Sequence, residues 1–120
     1  MARYVDGFVL PVPKSKLKAY RRMSEIAGKV WKKHGALEYR ECVGEDLKLK
    51  CGVPFARTAK CRPGETVVFS WILYKSRAHR DRVNAKVMKD PALAQMGNMK
   101  DMPFDMNRMA MGGFEAIVDM

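Results

Sequence analysis

Apolar and polar positions follow two rhythms along the chain, one of period two and one of about 3.6. The strongest strand signal is residues 65–75, Glu-Thr-Val-Val-Phe-Ser-Trp-Ile-Leu-Tyr-Lys, entered from the turn pair Pro63-Gly64. Here Val67, Phe69, Trp71 and Leu73 point one way, and Val68, Ile72 and Tyr74 the other. Residues 3–10 read as a strand closed by Pro11 and Pro13, residues 37–44 as a strand closed by Gly44, and residues 109–119 as the last strand. The helical rhythm covers residues 14–34, stopped by Gly35. It returns over residues 77–89, capped by Ser76 and ended before Pro91, with one more helical turn at 91–97. Residues 45–64 are turn-rich, with a short extension around Val53–Ala59.

The order β-α-β-β-α-β is the split βαβ pattern. It predicts an α+β, ferredoxin-like sandwich: an antiparallel sheet with the first and third strands central and the helices on one face. The third strand is apolar on both sides, and such a strand is buried on both. The helices cover one face only, so the sequence predicts a homodimer joined through the other sheet face.

On a helical wheel, Leu17, Tyr20, Met23, Ser24, Ala27, Val30, Trp31 and His34 share the inward stripe of the first helix. Lys18, Arg21, Arg22, Glu25, Lys29, Lys32 and Lys33 share the opposite side. The net charge of +10, from 23 basic and 13 acidic residues in 120, is therefore largely a solvated helix face. Aromatic residues do not interleave with that face, as a nucleic-acid platform would require, so nucleic acid is disfavoured as a partner. The length suits one domain over residues 1–120. No apolar run nears the roughly 20 residues of a membrane span, and Phe8-Val9-Leu10 is too short for a signal-peptide core. Cys42, Cys51 and Cys61 show neither zinc spacing nor a disulfide framework, which makes the cytoplasm the expected location.

Two constellations are candidates for chemistry. Tyr20, Trp31 and His34 on the inward stripe, with Asp6 on the first strand and Trp71 on the third, suggest a small-molecule pocket between the first helix and the sheet. In it His34 would act as acid, base or orienting donor; the structural alternative is a histidine capping the last helical carbonyls. Arg77, His79 and Arg80 gather where the third strand passes into the second helix, a place that favours an anion, although Ser76 and Asp81 are also ordinary helix-start residues. The ligand expected from these groups is a small acidic or aromatic molecule. The pair Gly112-Gly113 marks a bulge or a close backbone approach. Met88, Met96, Met99, Met102, Met106, Met109 and Met111 read as adaptable packing rather than as a copper site. No metal or cofactor is implied, no catalytic residue is singled out, and the residues leave open whether the chain is an enzyme.

Several long stretches add a resemblance. These are Tyr4-Val-Asp-Gly-Phe-Val-Leu-Pro-Val-Pro13, Ala27-Gly-Lys-Val-Trp31, Phe69-Ser-Trp-Ile-Leu-Tyr-Lys-Ser-Arg-Ala-His-Arg-Asp81, and Met102-Pro-Phe-Asp105 with Gly112-Gly-Phe-Glu115. Nearly end to end, the chain resembles the YbaA-like bacterial family of unknown function. The resemblance implies the dimeric α/β-barrel fold, with two ferredoxin-like sheets face to face, and brings no agreed catalytic residues. The wider superfamily includes haem-degrading enzymes and cofactor-independent monooxygenases, so a monooxygenase-like enzyme is one alternative. Some members carry a name referring to a signal-recognition-particle RNA, for which the sequence shows no RNA-binding motif; it is the net charge of +10 that makes weak binding of RNA or another polyanion a second. The chain departs from the family at Met106-Asn107, where Gly-Lys usually precedes the arginine now at Arg108.

Overall fold

A computed structural model of the chain describes residues 2–97 and 102–120. Met99 lies outside them. Four strands form one antiparallel sheet in the order β2-β3-β1-β4. They are β1 (Tyr4–Pro13), β2 (Glu38–Val43), β3 (Glu65–Tyr74) and β4 (Ala110–Glu115). Helix α1 (Leu17–Lys33) follows a 3-10 turn at Lys14–Lys16. The others are α2 (Phe55–Thr58), α3 (Arg77–Met88) and α4 (Pro91–Gly97). This is the α+β ferredoxin-like arrangement that the hydrophobic pattern predicts.

Three boundaries differ from expectation. Pro11 and Pro13 do not close β1; they continue it, opposite Val67 and Glu65. The Lys14 N–H donates to the Gly64 carbonyl (2.9 Å), so even-numbered residues at this end turn their amides toward β3. The odd-numbered prolines face the other side, where pairing with β4 has already ended at Val9, and no hydrogen bond is lost. The region around Val53–Ala59 is the one-turn helix α2, not an extension of sheet. Strand β4 stops at Glu115 rather than 119 because its partner β1 begins at Tyr4, leaving one further bond, Ala116 N–H to the Arg3 carbonyl (3.0 Å).

Strand parity fixes the two faces. Even positions of β1 and β3 turn toward the helices: Leu10, Val12, Val68, Ile72 and Tyr74 are buried there. Two apolar clusters result. Val30, Ala36, Ile72, Tyr74, Val83 and Val87 form one; Leu10, Val12, Tyr20, Met23 and Val68 form the other. Met96, Met102 and Met109 pack around the second, so part of the methionine-rich stretch does serve as irregular packing. Gly35, at φ +115°, ends α1 in the left-handed region that a side chain resists. The Ser76 hydroxyl accepts from the His79 N–H (3.1 Å) and caps α3 as expected. The register runs unbroken through Gly112 and Gly113, so the pair marks a close approach rather than a bulge: a Cβ at Gly113 would overlap the Tyr4 side chain.

The odd positions make the other face. Val5, Val9, Phe69, Trp71 and Phe114 surround an open apolar depression of about 660 Å³. Gly7 sits opposite Gly112 in it, and the missing side chains leave room for the Phe114 ring, 3.3 Å from where a Cβ at Gly7 would be. Among the described residues no helix covers this side and only α2 reaches it, with the Phe55 ring edge-on to Phe69 at 6.2 Å. Among the described residues, no helix is long and apolar enough to cross a membrane.

Candidate functional site

Between the helices and the sheet lie two polar networks, side by side. The first is under α3. Asp6 on β1 is buried, and the Arg80 Nη1 donates to its Oδ1 at 2.7 Å. Arg80 Nε also holds Asp81 (2.7 Å), and the guanidinium lies 4.9 Å over the Tyr4 ring. Asn84 completes the network, its Oδ1 accepting from Trp31 Nε1–H (3.1 Å) and from the Tyr74 hydroxyl (3.2 Å). Burial pushes the Asp6 carboxyl above its ordinary range, against the opposing pull of Arg80, Asn84 and Tyr74. Desolvation thus outweighs attraction, as is common for a buried ion pair.

The second network is under α1. Tyr20, one face of α1, and Tyr39, on β2, both donate to Glu41: the Tyr20 hydroxyl to Oε1 (2.8 Å) and the Tyr39 hydroxyl to Oε2 (2.7 Å). Burial first, and then the neighbouring carboxylate, pushes both phenols far above their ordinary range, so they remain protonated donors. This network opens onto a cleft of about 500 Å³ between α1 and the β2 edge, with Leu17, Val43 and Val68 among its apolar walls. Gly28 is what lets α1 approach here: a Cβ at that position would come within 2.9 Å of the Tyr39 ring. The Trp31 and Tyr39 rings, 6.2 Å apart, join the two networks.

The eight residues singled out from the sequence are distributed as follows. Asp6, Trp31 and Arg80 belong to the first network and Tyr20 to the second. Trp71 is on the opposite sheet face, because odd positions of β3 point away from the helices, so it does not share their pocket. His34 joins neither network. Its Nε2 meets Asp90 Oδ2 at 2.8 Å, beside Lys33 Nζ at 3.2 Å, and Asp90 Oδ1 accepts the Ala92 N–H at the start of α4. His34 therefore ties the end of α1 to α4; its bond with Asp90 is the leading reason that carboxyl is held down at about 2. His79 Nδ1 accepts the Lys75 N–H (3.0 Å). Burial, then Lys75, Arg82 and Lys86, lowers the His79 pKa, which keeps that nitrogen free to accept. Arg77 is exposed. The proposed anion corner is thus largely committed: Arg80 to two carboxylates and His79 to backbone.

The sequence reading missed Glu41, Tyr39 and Asn84. One signal was available: the alternation over 37–44 places Tyr39 and Glu41 on the same side of the strand. Arg108 also has a role despite the departure at Met106-Asn107. It grips Glu65 with two hydrogen bonds (2.7 and 2.8 Å) and donates to the Lys60 carbonyl (2.9 Å).

Residues 3–106 match the family described as "Protein of unknown function (DUF1428)". Over 117 residues the chain is 44% identical to the "Uncharacterized protein YbaA" of Escherichia coli strain K12, covering 98% of each sequence. The chain belongs to this family. The "Uncharacterized protein YbaA" of Shigella flexneri is likewise 44% identical over 98% of both sequences. Among solved structures, a dimeric ferredoxin-like protein from an uncultured marine organism matches over 100% of both chains, with a TM-score of 0.62 at 11% identity. At that identity the likeness shows the fold alone.

Proposed function

We propose that this DUF1428 protein is a homodimer that binds a small organic molecule in the cleft between α1 and the β2 edge, with residues 1–120 working as one domain in the cytoplasm. The observation that carries the binding reading is the Glu41 carboxylate, held by two phenols in the lining of a cleft of about 500 Å³. Binding sites are typically apolar concavities of this size with a few fixed polar groups.

Surface area supports the dimer. A monomeric protein of 13.7 kDa exposes about 6,600 Å² by the usual scaling, whereas this chain exposes 8619 Å². The excess is more than the roughly 800 Å² that each partner contributes to a standard interface. The uncovered apolar sheet face is the natural place for it, and the neighbour of like fold is described as dimeric. Three unpaired thiols, two of them exposed, fit a reducing compartment.

Two measurements test the reading. Sedimentation velocity at micromolar concentration should give a single dimeric species, which Trp71→Glu converts to monomer; a wild-type monomer would remove the dimer. A small-molecule library titrated into ¹⁵N-labelled protein should produce hits that move the amides of Gly28, Cys42 and Val43. Hits that cluster elsewhere, or none, would remove the cleft.

A further inference from the structure

The charge inventory of the cleft runs against that of the molecule. The chain carries 23 basic residues and a net charge of +10. Yet the charged residues lining the cleft are Arg21, Glu25 and Glu41. Arg21 and Glu25 pair with each other at 3.1 Å, on the exposed outer surface of α1. That leaves the half-buried Glu41, whose hydrogen-bond partners among the described residues are two neutral phenols. The contrast with Asp6 is direct: there the same helix–sheet layer supplies an arginine. Phenols fix the position of Glu41 and satisfy part of its acceptor capacity, but bring no positive charge.

A carboxylate offers about four acceptor sites, and each phenol occupies one, on a different oxygen. One acceptor direction per oxygen is left. That is the pattern a planar amidinium or guanidinium meets with two parallel bonds, and that an ammonium meets with one or two. The walls suit an apolar body, with Leu17, Val43 and Val68 providing aliphatic surface. Tyr20 and Tyr39 line the cleft beside the carboxylate, and aromatic rings are groups that attract cations.

We infer that the cleft takes an organic cation, an amine, amidine or guanidine carried on an aromatic or aliphatic body, with Glu41 as its counter-ion. This rests on the cleft being a small-molecule site; of the small acidic or aromatic molecule expected from the sequence, it keeps the aromatic option and replaces the acidic one with a basic one. An anion would meet, in the cleft lining, a carboxylate whose partners among the described residues are neutral. A neutral donor would gain hydrogen bonds but leave the charge unmatched.

The test is a charge series of near-isosteric probes, benzamidine, benzylamine, benzyl alcohol and benzoate, titrated into the full-length ¹⁵N-labelled protein at low salt. Benzamidine and benzylamine should move the amides of Gly28, Cys42 and Val43, with Kd values at least about tenfold below that of benzyl alcohol, a difference of the size one charge-assisted contact supplies. Benzoate should leave them unmoved. Glu41→Gln should abolish the preference for the cations over the alcohol. Because the wild-type series needs no variant, a poorly folding Glu41→Gln protein would not weaken the test. Benzoate or benzyl alcohol binding in the cleft as tightly as benzamidine would overturn the ligand class while leaving the site in place. Shifts from no probe in the cleft would overturn the ligand class and the binding reading together.

Discussion

Asp6 and Glu41 occupy equivalent ground and are treated differently. Each sits on a strand flanking β3, opposite Ile72 and Ser70 respectively, and each points toward the helices. Asp6 meets a guanidinium and is closed over by α3; Glu41 meets two phenols and faces a cleft. The first network ends within the protein. The second ends at a cleft, with two neutral phenols as the partners of its carboxylate among the described residues. A buried carboxylate supplied with a cation is explained by the fold that holds it, whereas a half-buried one held by neutral donors at a cleft is the group that the proposed ligand would complete.

The comparison can be broken at several points. The largest effect is expected from Asn84→Ala, which removes the acceptor shared by the half-buried Trp31 indole N–H and the buried Tyr74 hydroxyl. Losing both bonds together with the packing of the side chain should cost about 3 kcal/mol in urea unfolding. A loss below about 1 kcal/mol would mean that water enters and the first network is not closed. Asp6→Ala comes next, at about 2 kcal/mol, below the range for fully buried pairs because Arg80 keeps Asp81. That corresponds to a fall in Tm of about 8 °C for a chain of this length. Ligand shifts in the cleft should be unchanged in this variant; loss of them would couple the networks, by way of the Trp31–Tyr39 contact.

Tyr39→Phe removes one neutral donor from Glu41 and should cost about 1 kcal/mol, while weakening cation binding severalfold. The smallest effects concern acid. Arg108 holds the Glu65 carboxyl down from 4.5 to about 2, and the His34 contact does the same for Asp90 from 3.8. A depressed folded-state pKa contributes stability that is fully present above the unfolded value and lost as pH falls toward the folded one. Thermal melts of wild type should therefore decline between about pH 4.5 and about 2, and the decline should be shallower in the Glu65→Gln, Asp90→Asn double variant. Asp6, whose carboxyl burial pushes up, acts in the opposite sense, so an unchanged slope in that variant would assign the acid limb to other groups.

Much of the fold was written in local periodicity. Tyr20, Met23, Ala27 and Val30 recur at helical spacing and are buried; the two-sided strand Val67–Leu73 identified the central strand and its uncovered face. The proline boundary was misread because whether a proline ends a strand depends on which neighbour its amide would face, and that neighbour, β4, lies some 100 residues on in the chain. The candidate site was only half legible. Tyr20 was on the inward stripe, but the pairing that brings Tyr39 and Glu41 beneath it is set by β2–β3 register, which no local pattern encodes. His34 looked like a pocket group because its partner, Asp90, lies 56 residues away and reads as a loop residue before a proline. Trp71 was assigned to the helix side for its chemistry although its parity already placed it with Phe69 on the other.

The central claim is that Glu41 is kept for a ligand rather than for the fold. Its most direct test is the unfolding free energy of Glu41→Gln without ligand, measured beside Asp6→Ala. Neutralising a carboxylate that has no cationic partner among the described residues should change stability by less than about 1 kcal/mol, if function rather than packing maintains it. A loss equal to or larger than that of Asp6→Ala would make Glu41 a structural residue and contradict the account.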